Sequence, residues 1–110
     1  MRKRYRMPEM FYGEDKSVIQ SLKNAGELVL GWQDPHSVAM IYHVGDSTIK
    51  YVGVNEKTFK EGKERVYLNG FLNVTSRDEG TCKRDLETVL NSIKENIPNY
   101  NVKGVEELTN

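Results

Sequence analysis

Cysteine, proline and histidine are scarce in this 110-residue chain: one Cys, three Pro and two His. The single thiol, Cys82, has no second cysteine to pair with inside the chain, so a disulfide framework is excluded and a reducing cytoplasm is the expected setting. Two histidines and one cysteine cannot supply the spacing of a zinc site. No apolar run approaches the roughly 20 residues of a membrane span, and the acidic residues after Pro8 leave no room for the apolar stretch of a secretion signal, so no membrane association is expected. Glycines stand singly, which removes the phosphate-cradling loop and the dinucleotide fingerprint.

Charge is abundant and unevenly placed. Sixteen cationic side chains balance sixteen acidic ones, yet Arg2, Lys3, Arg4 and Arg6 fall within the first six positions. Residues 7–110 therefore carry twelve cations against sixteen acids, a net of −4. An acidic body argues against a domain whose whole face is built for nucleic acid, but a short basic segment interleaved with Tyr5 can still meet phosphate or an acidic protein surface. Residues 1–12 are expected to form a basic arm, free to be flexible, ahead of a single α+β domain over residues 13–110.

Periodicity sets the expected elements. Val18, Ile19, Leu22 and Ala25 fall in helical phase across 15–25, with Gly26 placed to stop the helix in a left-handed conformation. Leu28, Leu30 and Trp32 alternate on one strand face, and Asp34 to Ser37 forms a turn in which Asp34 bonds the backbone ahead. Val38 to Val44 is apolar almost throughout, as in a central strand; Gly45-Asp46 suits a type II′ turn into a third strand over 48–54. Mixed charge over 55–64 reads as the longest loop. The fourth strand, 66–75, sets Val66, Leu68, Leu72 and Val74 on one face and Tyr67, Phe71 and three polar residues on the other. Thr81 is the expected N-cap of a second helix carrying Cys82, Leu86, Val89, Leu90, Ile93 and Ile97 in phase, stopped by Pro98. A short strand around 100–105 would complete a right-handed crossover. The expected fold is α+β: a two-layer, mainly antiparallel sheet of four to five strands, both helices on one face, in the order α-β-β-β-β-α-β.

No constellation spells out a chemistry. His36 and His43 would lie about 23 Å apart on opposite strand faces, too far to share a metal. Cys82 sits at a helix start beside Lys83 and Arg84, but its phase with Leu86 and Val89 points inward, and no base is placed to activate it. No cofactor and no catalytic group are expected. The expectation is a non-catalytic interaction or regulatory protein (adaptor, accessory factor or inhibitor) that binds another macromolecule or self-associates. The residues expected to meet the partner are Arg2, Lys3, Arg4, Tyr5 and Arg6 in the arm, Phe59 as an aromatic anchor on the charged loop, and Tyr67 and Phe71 on the amphipathic strand.

The alternative is a small nucleic-acid-binding domain acting through residues 1–7. An α-β-β-β-α order with Lys83-Arg84 opening the second helix loosely resembles the double-stranded-RNA-binding module. An extra strand and the nearby Asp85 and Glu87 depart from that pattern, and no residue role follows from it. An enzyme is the third reading.

Overall fold

The computed structural model of the protein describes residues 1–11, 15–34 and 36–108. The elements run β1 (Arg2–Arg6), β2 (Met10–Phe11), α1 (Asp15–Ala25), β3 (Glu27–Gln33), β4 (Ser37–Val44), β5 (Ser47–Lys60), β6 (Lys63–Thr75), α2 (Glu79–Asn96), a 3-10 turn (Val102–Gly104) and β7 (Glu106–Leu108). Every strand pairing is antiparallel, and the sheet order is β3-β4-β5-β6-β1-β7, with β2 continuing the line of β1 along β6. The α+β class, the two helices and the rough element order match expectation; the strands are more numerous.

Two segments account for the difference. Residues 2–6 are not an arm: they form β1, held between β6 (Arg2 opposite Thr75 through Arg6 opposite Phe71) and β7. Their charges escape burial because alternation sends Arg2, Arg4 and Arg6 to one face, while the other face buries Tyr5 and leaves Lys3 at the rim. Residues 55–64 are likewise not a loop. β5 and β6 stay paired out to Lys60 and Lys63, and Glu61 (φ 54°) and Gly62 (φ 73°) close them with both central residues left-handed, as a type I′ turn requires.

The core lies between one sheet face and the helices. Tyr5, Val38, Tyr42, Val44, Ile49, Tyr51, Leu68, Leu72 and Val74 meet Val18 and Leu22 of α1 and Cys82, Leu86, Val89 and Ile93 of α2. Gly53 and Gly70 stand opposite each other in the β5–β6 ladder, and the Tyr51 side chain fills the space two side chains would have taken. The helices are tied to each other by Ser92, whose hydroxyl donates to the Ser21 carbonyl at 2.6 Å, and by the Asn96 amide, which donates to the Ser17 carbonyl at 2.9 Å.

Turns and caps follow the local chemistry with three corrections. Asp34 accepts from the His36 and Ser37 amides at 2.7 and 2.8 Å, as expected, and these bonds hold its carboxyl below the usual range. Gly45 has φ 57°, as the first central residue of a II′ turn requires. The N-cap of α2, however, is Asp78 and not Thr81: the Asp78 carboxylate accepts from the Thr81 amide at 2.7 Å, and Thr81 is buried inside the first turn. Gly26 is not left-handed. It is needed because a Cβ there would meet the His43 carbonyl oxygen of β4 at 2.2 Å, where the chain passes from α1 straight into the sheet. Finally, residues 100–105 hold the 3-10 turn, and the last strand is β7, which runs parallel to β6 with β1 inserted between them.

Candidate functional site

Alternation buries one sheet face under α1 and α2 and leaves the other, among the described residues, free of helices. On that open face β3 contributes Leu30 and Trp32, β4 Ala39, Ile41 and His43, β5 Lys50, Val52 and Val54, β6 Asn69, Phe71 and Asn73, and β1 its three arginines. The face divides into two zones: apolar toward β3, cationic and amide-rich toward β1.

The apolar zone ends at an unusual edge. All seven residues of β3 are exposed, Leu30 at 64% and Trp32 at 57% of their full accessible surface. Exposed Val54 continues the patch across the sheet through half-buried Ile41 and Val52. Leu28, expected to share a face with Leu30 and Trp32, does not: the register shifts between Leu28 and Leu30, so Leu28 stands opposite Tyr42 on the helix side while Leu30 and Trp32 stand opposite Ile41 and Ala39. Among the described residues no strand pairs with the outer side of β3.

The cationic zone has its own geometry. Arg4 Nε donates to Asn73 Oδ1 at 3.3 Å, and the Arg6 guanidinium lies 5.8 Å from the Phe71 ring centroid, within cation–π range. Arg6, Pro8, Glu9, Asn69, Phe71 and Glu106 border a groove of about 440 Å³. Glu9 and Glu106 temper the positive field there.

The expected partner residues are thus split. Arg2, Arg4, Arg6 and Phe71 come together on the open face. Lys3 lies on the other side, its ammonium shared between Glu79 (2.8 Å) and Glu107 (3.0 Å), bonds that raise its pKa. Tyr5 is in the core with its hydroxyl 4.0 Å from Cys82 Sγ; burial, then the Cys82 thiol, push its pKa up to about 12. The backbones of Phe59 and Tyr67 pair within β5 and β6, but their side chains lie outside what is described.

Cys82 is fully buried, His36 and His43 are exposed, and Arg84, at the basic start of α2, is committed to Asp46 (2.6 Å) and Asp85 (3.1 Å). Asp85 is the one buried carboxylate among the described residues. Burial pushes its pKa up, but the Ser47 hydroxyl, the Arg84 guanidinium and the Asp46 amide outweigh that and hold it below the usual range. Its bonds tie the β4–β5 turn to α2, a structural task. Among the described residues no group of His, Cys, Asp and Glu is placed to hold a metal, and no helix is long and apolar enough to cross a membrane.

Sequence reasoning passed over Leu30, Trp32 and Val54. The available signal was the uncharged run Leu28 to Gln33, which contains no lysine or proline to blunt an edge. No family model, curated protein or solved structure matches the chain.

Proposed function

We propose that the protein is a non-catalytic interaction module of the cytoplasm, an adaptor, accessory factor or inhibitor, that engages a protein partner through the β3 edge and the apolar half of the open sheet face. The observation that carries this reading is β3 itself: a seven-residue edge strand with every residue exposed, bearing Leu30 and Trp32 beside Val54. An exposed edge offers main-chain donors and acceptors for strand addition, and its apolar side chains supply the affinity. The single buried thiol is compatible with a reducing compartment.

The test is affinity capture from host lysate after nuclease treatment, comparing the wild type with Leu30→Lys and Val54→Lys. A stoichiometric protein retained by the wild type and lost with both variants supports the reading. Equal retention by all three overturns it.

A second reading rests on a separate observation, the alignment of Arg2, Arg4 and Arg6 beside Phe71, Asn69 and Asn73. Alternate residues of a strand lie about 7 Å apart, a spacing suited to successive phosphates of a single strand, with Phe71 as a stacking surface. Replacing the three arginines by serine would then lower the salt dependence of single-strand binding by about 2 in log K per log salt. A slope unchanged by that replacement would remove this reading.

A further inference from the structure

The two edges of the sheet are built differently. β7 is three residues long and carries Glu106 and Glu107, so it is short and charged, as an edge that must stay solitary should be. β3 is seven residues long, has one charge, Glu27 at its start, and presents only uncharged side chains from Leu28 to Gln33. One edge is protected and the other is left open.

The pairing of β3 with β4 says which backbone groups face outward. The Asp34 amide donates to the Ser37 carbonyl at 2.9 Å, which makes 34/37 a hydrogen-bonded pair of that ladder. Antiparallel alternation then commits the main-chain groups of Trp32 and Leu30 to β4 and turns those of Gly31 and Gln33 outward. At Gly31 no side chain stands beside these outward groups, and its β4 neighbour Met40 lies across the position a Cβ would take, with Sδ at 2.4 Å.

We infer that the occupant of the β3 edge is a second copy of this chain, paired antiparallel about a two-fold axis at Gly31. This rests on the reading of β3 as the binding surface and names what covers it. In this register Gly31 meets Gly31 of the second copy, Leu30 meets its Trp32 on the open face, and Trp32 meets its Leu30. Each Leu–Trp pair sits against Ile41 and Ala39 of the same sheet face, which makes one continuous apolar cluster across the axis. Glu27 lies outside the paired stretch 29–33, so no like charges oppose each other. The exposed side chains of β3 present on the order of 400 Å² per copy, the size of patch that marks an interaction site. With backbone and flanking atoms the two copies together bury roughly 1,000 Å², the lower bound of a specific interface. Because β7 is blunted, assembly closes at two copies and does not run on into a fibre.

The test has two parts. Light scattering of the full chain across a concentration series gives a dimer for the wild type, and a monomer for Leu30→Lys with unchanged far-ultraviolet circular dichroism and a thermal midpoint like that of the wild type diluted until it is monomeric. An equimolar mixture of Leu30→Cys and Trp32→Cys, mildly oxidised, gives a mixed disulfide, and Leu30→Cys alone gives none; buried Cys82 stays silent in all samples. A disulfide formed efficiently by Leu30→Cys alone would overturn the register, since it needs Leu30 on the axis. A wild type still monomeric at about 1 mM would overturn the self-pairing. In that case a lysate protein lost on Leu30→Lys would keep β3 as a binding edge for another chain, whereas capture indifferent to that substitution would remove both readings.

Discussion

Replacing Asp85 by alanine removes the only buried carboxylate among the described residues, and the structure sets the size of the loss. Asp85 is 2% exposed and accepts three hydrogen bonds: from the Ser47 hydroxyl at 2.6 Å, the Asp46 amide at 3.1 Å and Arg84 Nε at 3.1 Å. The Ser47 hydroxyl is itself buried, so stranding it costs about 1–3 kcal/mol, and losing a bond to a charged acceptor adds a comparable amount. Arg84 is half exposed and keeps its contact with Asp46, so its share is small. The expected sum is about 2–4 kcal/mol, or a fall of roughly 10–25 °C in Tm for a chain of this size, read by circular dichroism at pH 7. Asn at the same position, which keeps the shape and one acceptor, should lose less. The pH dependence is fixed in sign. Because the folded carboxyl is held below its unfolded value, its contribution is fully present above about pH 4 and fades as pH falls through the folded value. The gap between wild type and Asp85→Ala should therefore narrow in acid. A fall of less than about 2 °C at pH 7, or a gap independent of pH, would refute the account of this site.

Four further substitutions test other parts of the fold by thermal or denaturant unfolding. Tyr51→Phe should leave stability unchanged or raise it by up to about 1 kcal/mol, because the buried hydroxyl has no hydrogen-bond partner among the described residues; a loss above that amount would mean the hydroxyl is used. Gly26→Ala should cost about 1–3 kcal/mol through the clash with the His43 carbonyl, and a neutral result would show that the α1–β3 junction can move aside. Gly62→Ala should cost about 1 kcal/mol from its left-handed backbone alone, and Gly45→Ala more, since its Cβ also lands 2.2 Å from Asp85 Oδ1; equal costs would mean the Asp85 contact is soft.

What the sequence discloses follows from where the water is. The α2 stripe Cys82, Leu86, Val89 and Ile93 is legible because one helix face meets the core and the other does not, and the β6 alternation of Leu68, Leu72 and Val74 is legible for the same reason. β1 is hidden because Arg2, Arg4 and Arg6 fill its solvent face and Lys3 sits at its rim, leaving Tyr5 as its only buried side chain. The outer part of the β5–β6 ribbon is hidden because its described side chains from Glu56 to Glu64 are exposed and show no apolar alternation. Only Gly62 marks its turn. At the candidate site, the strand character of Leu28 to Trp32 is visible, but its place at an edge is a property of sheet order, which no local pattern encodes. The bulge that separates Leu28 from Leu30 is equally silent.

The position of β1 has a consequence for synthesis. Among the described strands this one is made before the others, yet both of its neighbours come much later in the chain: β6 closes at Thr75 and β7 lies at Glu106–Leu108. Until β6 is made Arg2–Arg6 therefore has no template, while β3, β4 and β5 can zip in succession as local hairpins. The sheet is sealed by the earliest of its described strands, and the β1–β7 pairing waits until residues 106–108 have been made.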